Sequence, residues 1–181
     1  LKKITTVLLA IAMLFVLLAP VSEASTYTLK NKSLKMPNLY STTIAKQLKS
    51  GTYKYYGVKL GNTKKYMYNM WGSAASATVS RGYGSTDGMY TYGNDWQLTA
   101  SASYPSTKAS TDKLIVDYIS ISDSYHKHEY SKIKSVFGTP QYIYTAGKYR
   151  SISYNDVLDI SFTKVGTKWY VEDITSSKYN F

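Results

Sequence analysis

The chain has 181 residues, no Cys, and 22 basic against 11 acidic side chains, a formal net charge of +11 at pH 7. Without cysteine, disulfide staples, thiolate chemistry and zinc ribbons are excluded, and stability must come from the apolar core. Only Arg81 and Arg150 carry guanidinium groups, so the charge suits diffuse attraction better than bidentate, base-specific recognition.

The chain opens on Leu1-Lys2-Lys3, followed by an apolar run over residues 7–21 and the small-x-small sequence Ser22-Glu23-Ala24. Basic, apolar and small regions in that order predict a secretory signal peptide over residues 1–24. Fifteen apolar residues fall short of the roughly 20 that span a bilayer, so no stable membrane insertion is expected after cleavage. The expected mature chain, residues 25–181, is secreted. It ends without a sorting motif, so any association with the cell wall would be non-covalent.

Losing Lys2, Lys3 and Glu23 takes the net charge from +11 to +10. That charge is unevenly placed. Residues 25–86 contain nine Lys, Arg81 and no acidic residue, whereas residues 87–181 contain ten basic and ten acidic residues. A charge concentrated in one third of a chain predicts an anionic partner.

Residues 25–37 read as an extended, Lys-rich leader. Asn38 is the expected cap of a short helix to about residue 50, with Tyr40, Ile44 and Leu48 on one face and Gly51 as its stop. Residues 25–56 therefore form the leader and first helix. A second helix is expected over residues 63–71, capped by Asn62 and ended by Gly72, with Tyr66, Met67, Met70 and Trp71 on its apolar side. Strands follow near 76–82, 88–92, 96–104 and 113–122, the last apolar on both faces like a central strand. Residues 129–137 then read as a helix ended by Gly138-Thr139-Pro140, with strands near 141–145, 150–155, 157–164 and 168–175. In the third of these, Leu158, Ile160 and Phe162 face one way and Asp159, Ser161 and Thr163 the other.

The two halves superimpose as patterns. Met67-x-x-Met70-Trp71-Gly72 matches Ile133-x-x-Val136-Phe137-Gly138, and Thr91-Tyr92 matches Ser153-Tyr154. Such a recurrence fixes an architecture before anything else does. The expected fold is α+β, a tandem repeat of a short helix or helical pair plus a four-stranded antiparallel sheet. Its first unit would span residues 57–122 and its second residues 123–181. Trp71, Phe137, Leu158, Ile160 and Phe162 are the expected core.

A helix ending in an aromatic-Gly pair, then a strand carrying a Tyr, duplicated in tandem, resembles the β-lactamase-inhibitory-protein-type fold. The chain looks most like a tandem-repeat family of secreted Firmicute proteins of unknown function. It is similar in layout to immunodominant staphylococcal antigen B and to CAP-associated repeats. The resemblance covers about residues 57–175 and rests on Trp71-Gly72, Tyr92, Phe137-Gly138-Thr139-Pro140 and Tyr154. The first unit departs from it in having Ala74 where the second has Pro140. What it implies is a binding or inhibitory module.

Few residues suggest chemistry. His126-Lys127-His128-Glu129 is the one cluster with metal-ligand spacing, and His126 and His128 are weak candidate ligands. A structural zinc needs four ligands, and there is no third His. The cluster reads better as surface and helix start, with Glu129 favouring the helix dipole. The carboxylates of Asp156, Asp159, Glu172 and Asp173 follow strand alternation and do not predict a pair across a cleft. No G-x-S-x-G elbow occurs. The glycine-rich stretch from Arg81 to Gly88 lacks the Lys-Ser/Thr ending of a phosphate loop and reads as a β-turn.

The twenty tyrosines say more. Tyr53, Tyr55 and Tyr56 stand among Lys46, Lys49, Lys54 and Lys59, followed by Lys64, Lys65 and Arg81, all in the acid-free region. Basic residues interleaved with aromatics suit single-stranded nucleic acid, or a glycopolymer on whose sugars tyrosine lies flat. These ten residues are the candidate polyanion-binding set. The expected function is a secreted, non-catalytic binding protein for anionic envelope polymer, teichoic acid or extracellular nucleic acid, with no cofactor and no enzymatic activity. The alternative is a proteinaceous inhibitor or interaction module that binds a protein partner through its sheet face and turns.

Overall fold

A computed structural model describes residues 28–123 and 125–178. The expected signal segment, residues 1–24, lies outside the described residues. Hydroxyl caps start the first two helices. Ser41 Oγ accepts from Ile44 N at 3.4 Å and opens helix α1, Thr42–Lys49. Thr63 Oγ1 accepts from Tyr66 N at 3.1 Å and opens α2, Lys64–Trp71. Neither expected asparagine cap is used. Asn38 Oδ1 accepts from Tyr40 N and Asn62 Oδ1 from Lys59 N, so both close local turns before the helix begins. Helix α3, Tyr130–Phe137, has no side-chain cap, but the backbone N–H of Glu129 donates to the Tyr40 hydroxyl at 2.9 Å.

The strands are β1 (Ser76–Gly82), β2 (Ser85–Tyr92), β3 (Leu98–Tyr104), β4 (Ile115–Ser122), β5 (Tyr142–Ala146), β6 (Tyr149–Tyr154), β7 (Leu158–Val165) and β8 (Lys168–Ser177). They form one antiparallel eight-stranded sheet in the order β1-β2-β3-β4-β8-β7-β6-β5. The sequence predicts two four-stranded sheets. The structure instead joins two meanders through their last strands, from Tyr118↔Ser177 to Ser122↔Asp173. That pairing gives β4 a neighbour on each side, as its apolar pattern requires, and leaves β1 and β5 as edges.

The turn before β2 is shorter than the sequence suggests. It consists of Tyr83 and Gly84, at φ 50° and 84°, a two-residue hairpin turn whose twist matches its strands. Gly88 therefore lies inside β2, where the Tyr90 ring folds back over it and would collide with a Cβ.

All three helices pack on one face of the sheet. Trp71 meets Tyr92 edge-on at 5.1 Å between ring centres, Phe137 meets Tyr154 at 5.7 Å, and Tyr130 meets Phe162 at 5.1 Å. Trp71, Phe137, Leu158, Ile160 and Phe162 are all buried, as the sequence predicts. The 28–40 segment has no regular element, but it is no loose leader. Leu29, Leu34 and Leu39 are buried, and it bonds Trp71 O through Leu29 N (3.1 Å) and accepts from Gly93 N (2.9 Å). Gly93, at φ 79°, lies so close under this strap that a Cβ would approach Leu34 Cδ1 to 2.9 Å.

The opposite face of the sheet is open. One row of short polar residues crosses it and ends at a tyrosine on the β5 edge: Ser76, Thr91, Thr99, Ser120, Thr175, Asp159, Ser153 and Tyr142. Asp87 and Asp173 share that face by register, and Asp117 joins it through its bond from Ser103 Oγ.

Burial raises the carboxyls of Asp117 and Asp173 above their ordinary value, against the opposing effect of bonds from Ser103 and Ser161. A raised folded pKa means that the ionised form opposes folding, and that this penalty is relieved as pH falls through the raised value toward 3.8. Asp117→Asn with Asp173→Asn should therefore keep or raise the melting temperature at about pH 7, by about 1–3 °C, and flatten the pH dependence of stability between the ordinary carboxyl value of 3.8 and neutral pH. Thermal melts across that range check it. A clear loss at neutral pH would count against it.

Candidate binding surface and pockets

Four of the ten candidate residues, Lys46, Lys54, Lys65 and Arg81, are exposed and make no ion pair among the described residues. Lys59 is half-buried. The other two lysines hold the fold. Lys49 Nζ donates to Phe137 O at 2.8 Å, at the carbonyl end of α3, where the helix dipole favours a cation. Lys64 Nζ pairs with Asp112 Oδ1 at 3.1 Å and lies 4.1 Å from the Tyr68 ring centre. Arg81 is on edge strand β1 and donates to Ala109 O at 3.3 Å.

The tyrosines divide in the same way. Tyr55 is buried, with its hydroxyl 2.8 Å from Ser176 Oγ, and burial pushes its pKa well up. It presents no ring to a ligand. Tyr53 stacks edge-on against it at 4.9 Å and is half-buried, which raises its pKa. Tyr56 holds the strap, since Lys35 N donates to its hydroxyl at 2.6 Å.

The folded chain sorts its free charge by layer, because on the helical side Asp112 and Glu129 are paired with Lys64 and Lys168 and Asp123 is held by three donors. The acid-free stretch supplies the strap, α1, α2 and the loops between them on the helical side, together with edge strand β1. Of the strand carboxylates, Asp87, Asp117, Asp159 and Asp173 all face the open side.

Two pockets flank the strap, each of about 330 Å³. Lys35 and Met36 line both. The first continues along Gln97, Asp123, Tyr125, Lys127 and His128. The second includes Tyr53, Tyr55 and Tyr56. The floor of the first pocket is organised by Asp123, a buried carboxylate. It accepts from Tyr125 N at 3.1 Å, Lys127 N at 3.2 Å and His128 Nδ1 at 3.2 Å. His128 is also packed edge-on against Tyr40 at 5.2 Å.

The His-x-His pair does not converge. His126, at φ 51°, places its ring 6.5 Å from that of Tyr170, while His128 Nδ1 is taken by Asp123. No group of three or more metal-ligating side chains occurs among the described residues. The residues the sequence reading missed are Asp123 and Gln97. An Asp five residues before a His in a connecting loop is a faint signal for the first. Nothing in the sequence singles out Gln97, which reaches the pocket only because Leu34 N–H seizes its Oε1 at 2.8 Å.

Compared with known proteins, the chain matches no family model, no curated protein and no solved structure. What it does must therefore be argued from the site.

Proposed function

We propose that the protein is an exported, non-catalytic binding protein that holds an anionic polymer against its helical layer. The sorting of charge by layer carries this reading. A polymer bearing phosphates is drawn to the lysine-rich strap and helices and is repelled by the aspartates of the open sheet face. The export reading rests on the sequence of residues 1–24. A teichoic-acid-type polymer and nucleic acid share the phosphate chemistry involved.

The same reading includes a duplicated α-β₄ architecture. Supporting it, Tyr92 OH donates to Gly72 O at 3.3 Å and Tyr154 OH to Gly138 O at 3.1 Å, each a strand tyrosine closing on the glycine that ends the preceding helix. Those glycines adopt nearly the same backbone, φ 76° and ψ −168° against φ 81° and ψ −159°.

Binding should weaken steeply with salt, since log K falls by about 0.7–0.9 per neutralised phosphate per decade of salt. Changing Lys46, Lys54 and Lys65 together to Gln should lower polyanion affinity by about tenfold or more at low salt. Changing Lys108, Lys148 and Lys164 should do much less. Lys49 and Lys64 are left intact because their loss would also disturb the fold. Pelleting with wall polymer or gel shift with single-stranded DNA, at two salt levels, decides it. Salt-independent binding, or equal effects from both sets, would sink the proposal.

One observation favours the alternative, a protein partner on the open face. Met89, Tyr142, Tyr144 and Tyr149 are large, well exposed and on that face by register. A partner captured by the wild type and lost on Tyr142→Ser with Tyr144→Ser, but kept by the lysine variant, would decide for that reading.

A further inference from the structure

Two polar side chains in the first pocket are nine-tenths buried, yet each keeps one atom without a partner among the described residues. Gln97 is 8% exposed and His128 is 9% exposed. The Gln97 Oε1 accepts from Leu34 N, which leaves its Nε2 amide as an unused donor. His128 Nδ1 faces Asp123 Oδ2, so it is Nδ1 that carries the proton. The carboxylate thereby fixes the tautomer and leaves Nε2 of the neutral ring as an acceptor. Neither atom is sealed from solvent, in contrast to Tyr90 OH and His126 Nδ1, which are buried without a partner. Lys35 and Lys127 bring positive charge to the same pocket. The Asp123 carboxylate is held by three donors, and the two lysines outnumber its single charge.

This combination asks for a particular ligand. It must carry a hydroxyl to donate to His128 Nε2, an oxygen to accept from Gln97 Nε2, and an anionic group for the lysines. Inorganic phosphate carries these groups on a single centre and cannot spread them over the pocket, and a neutral polyol lacks the charge. A volume of about 330 Å³ lies at the small end of ligand pockets, roughly 300–1,000 Å³.

We infer that this pocket binds one polyol-phosphate unit, its phosphate between Lys35 and Lys127 and a hydroxyl on His128 Nε2. The inference deepens the polyanion reading above, on which it rests for the class of polymer. Such a unit comes either as a free phosphate ester or as one repeat of a polymer. Lys35 lies between this pocket and its neighbour, so a polymer has a second cavity to continue into.

The test is calorimetric titration of the full chain with glycerol 3-phosphate, with glycerol (no charge) and inorganic phosphate (no polyol) as controls. Glycerol 3-phosphate should bind saturably and about tenfold or more tighter than either control. Gln97→Glu keeps the acceptor for Leu34 N–H but puts a carboxylate where the donor was, so binding should vanish, with some loss of melting temperature because the new charge is buried. His128→Asn keeps a donor to Asp123 and loses the Nε2 acceptor, and should weaken binding about tenfold. A glycerol-phosphate oligomer that binds tighter than the monomer assigns the polymer as the source, and equal affinity assigns the free ester. The inference is overturned if no saturable binding occurs, if inorganic phosphate binds as well as the ester, or if both variants bind like wild type. Should any of these occur while pelleting stays sensitive to Lys46, Lys54 and Lys65, the surface reading stands alone. If pelleting fails while glycerol 3-phosphate still binds, only the surface reading falls.

Discussion

Phe137→Ala should destabilise the protein by about 3–5 kcal/mol, the usual range for deleting a buried aromatic side chain. Phe137 is 2% exposed. It lies at the last turn of α3, where it packs on Tyr154. The carbonyl of Phe137 accepts from Lys49 Nζ, and that of the next residue, Gly138, from the Tyr154 hydroxyl. Truncation therefore opens a cavity under a helix end that three elements hold in place. Burial already pushes the Tyr154 hydroxyl up to about 12, and the cavity should admit water and lower that value. Trp71→Ala, at the matching place in the first half, should cost at least as much. Its indole N–H also donates to Tyr55 O and Tyr56 O, at 3.0 and 3.1 Å, and the tyrosine segment loses that anchor with it. Urea unfolding of both variants provides the measurement. A cost below about 1 kcal/mol for either would mean that the site collapses freely around the change.

The elements legible in the sequence are those whose signal is local. Alternation placed seven of the eight strands within about two residues at each end. β2 was the exception, because its turn needs a positive φ at Tyr83, and tyrosine does not advertise one. The glycines ending α2 and α3 were legible for the opposite reason. The helix starts were misplaced because Asn38 and Asn62 fit a cap as well as Ser41 and Thr63 do, and only the folded backbone chooses.

What joins distant parts of the chain was not legible. The β4–β8 seam pairs residues more than fifty positions apart. The strap depends on Leu29, Leu34 and Leu39 being buried together, and a five-residue spacing matches neither helix nor strand period. In the candidate polyanion set, composition treats all six lysines alike, whereas geometry separates the three exposed ones from Lys49 and Lys64, which support helix ends and loops. Gln97 and His128 meet across thirty-one positions of chain.

Asp123→Ala should cost about 2–4 kcal/mol, because one truncation strands three donors at a buried site. Asp123 is 5% exposed, and its carboxylate ties Tyr125 N, Lys127 N and His128 Nδ1 into the connection between the two meanders. Asp123→Asn separates stability from the pocket's chemistry. Its carbonyl oxygen can still accept from Tyr125 N, so the stability loss should be smaller. Its amide, however, now faces His128 Nδ1 with hydrogens, and the imidazole must move its proton to Nε2 to avoid two donors meeting. The free acceptor at His128 Nε2 becomes a donor. Glycerol 3-phosphate binding should then fall about tenfold or more, while the melting temperature falls less than in Asp123→Ala. Nitrogen NMR of the imidazole reads the tautomer directly, with Nδ1–H expected in wild type and Nε2–H in Asp123→Asn. An unchanged tautomer together with lost binding would show that Asp123 acts on the shape of the loop and not on the proton.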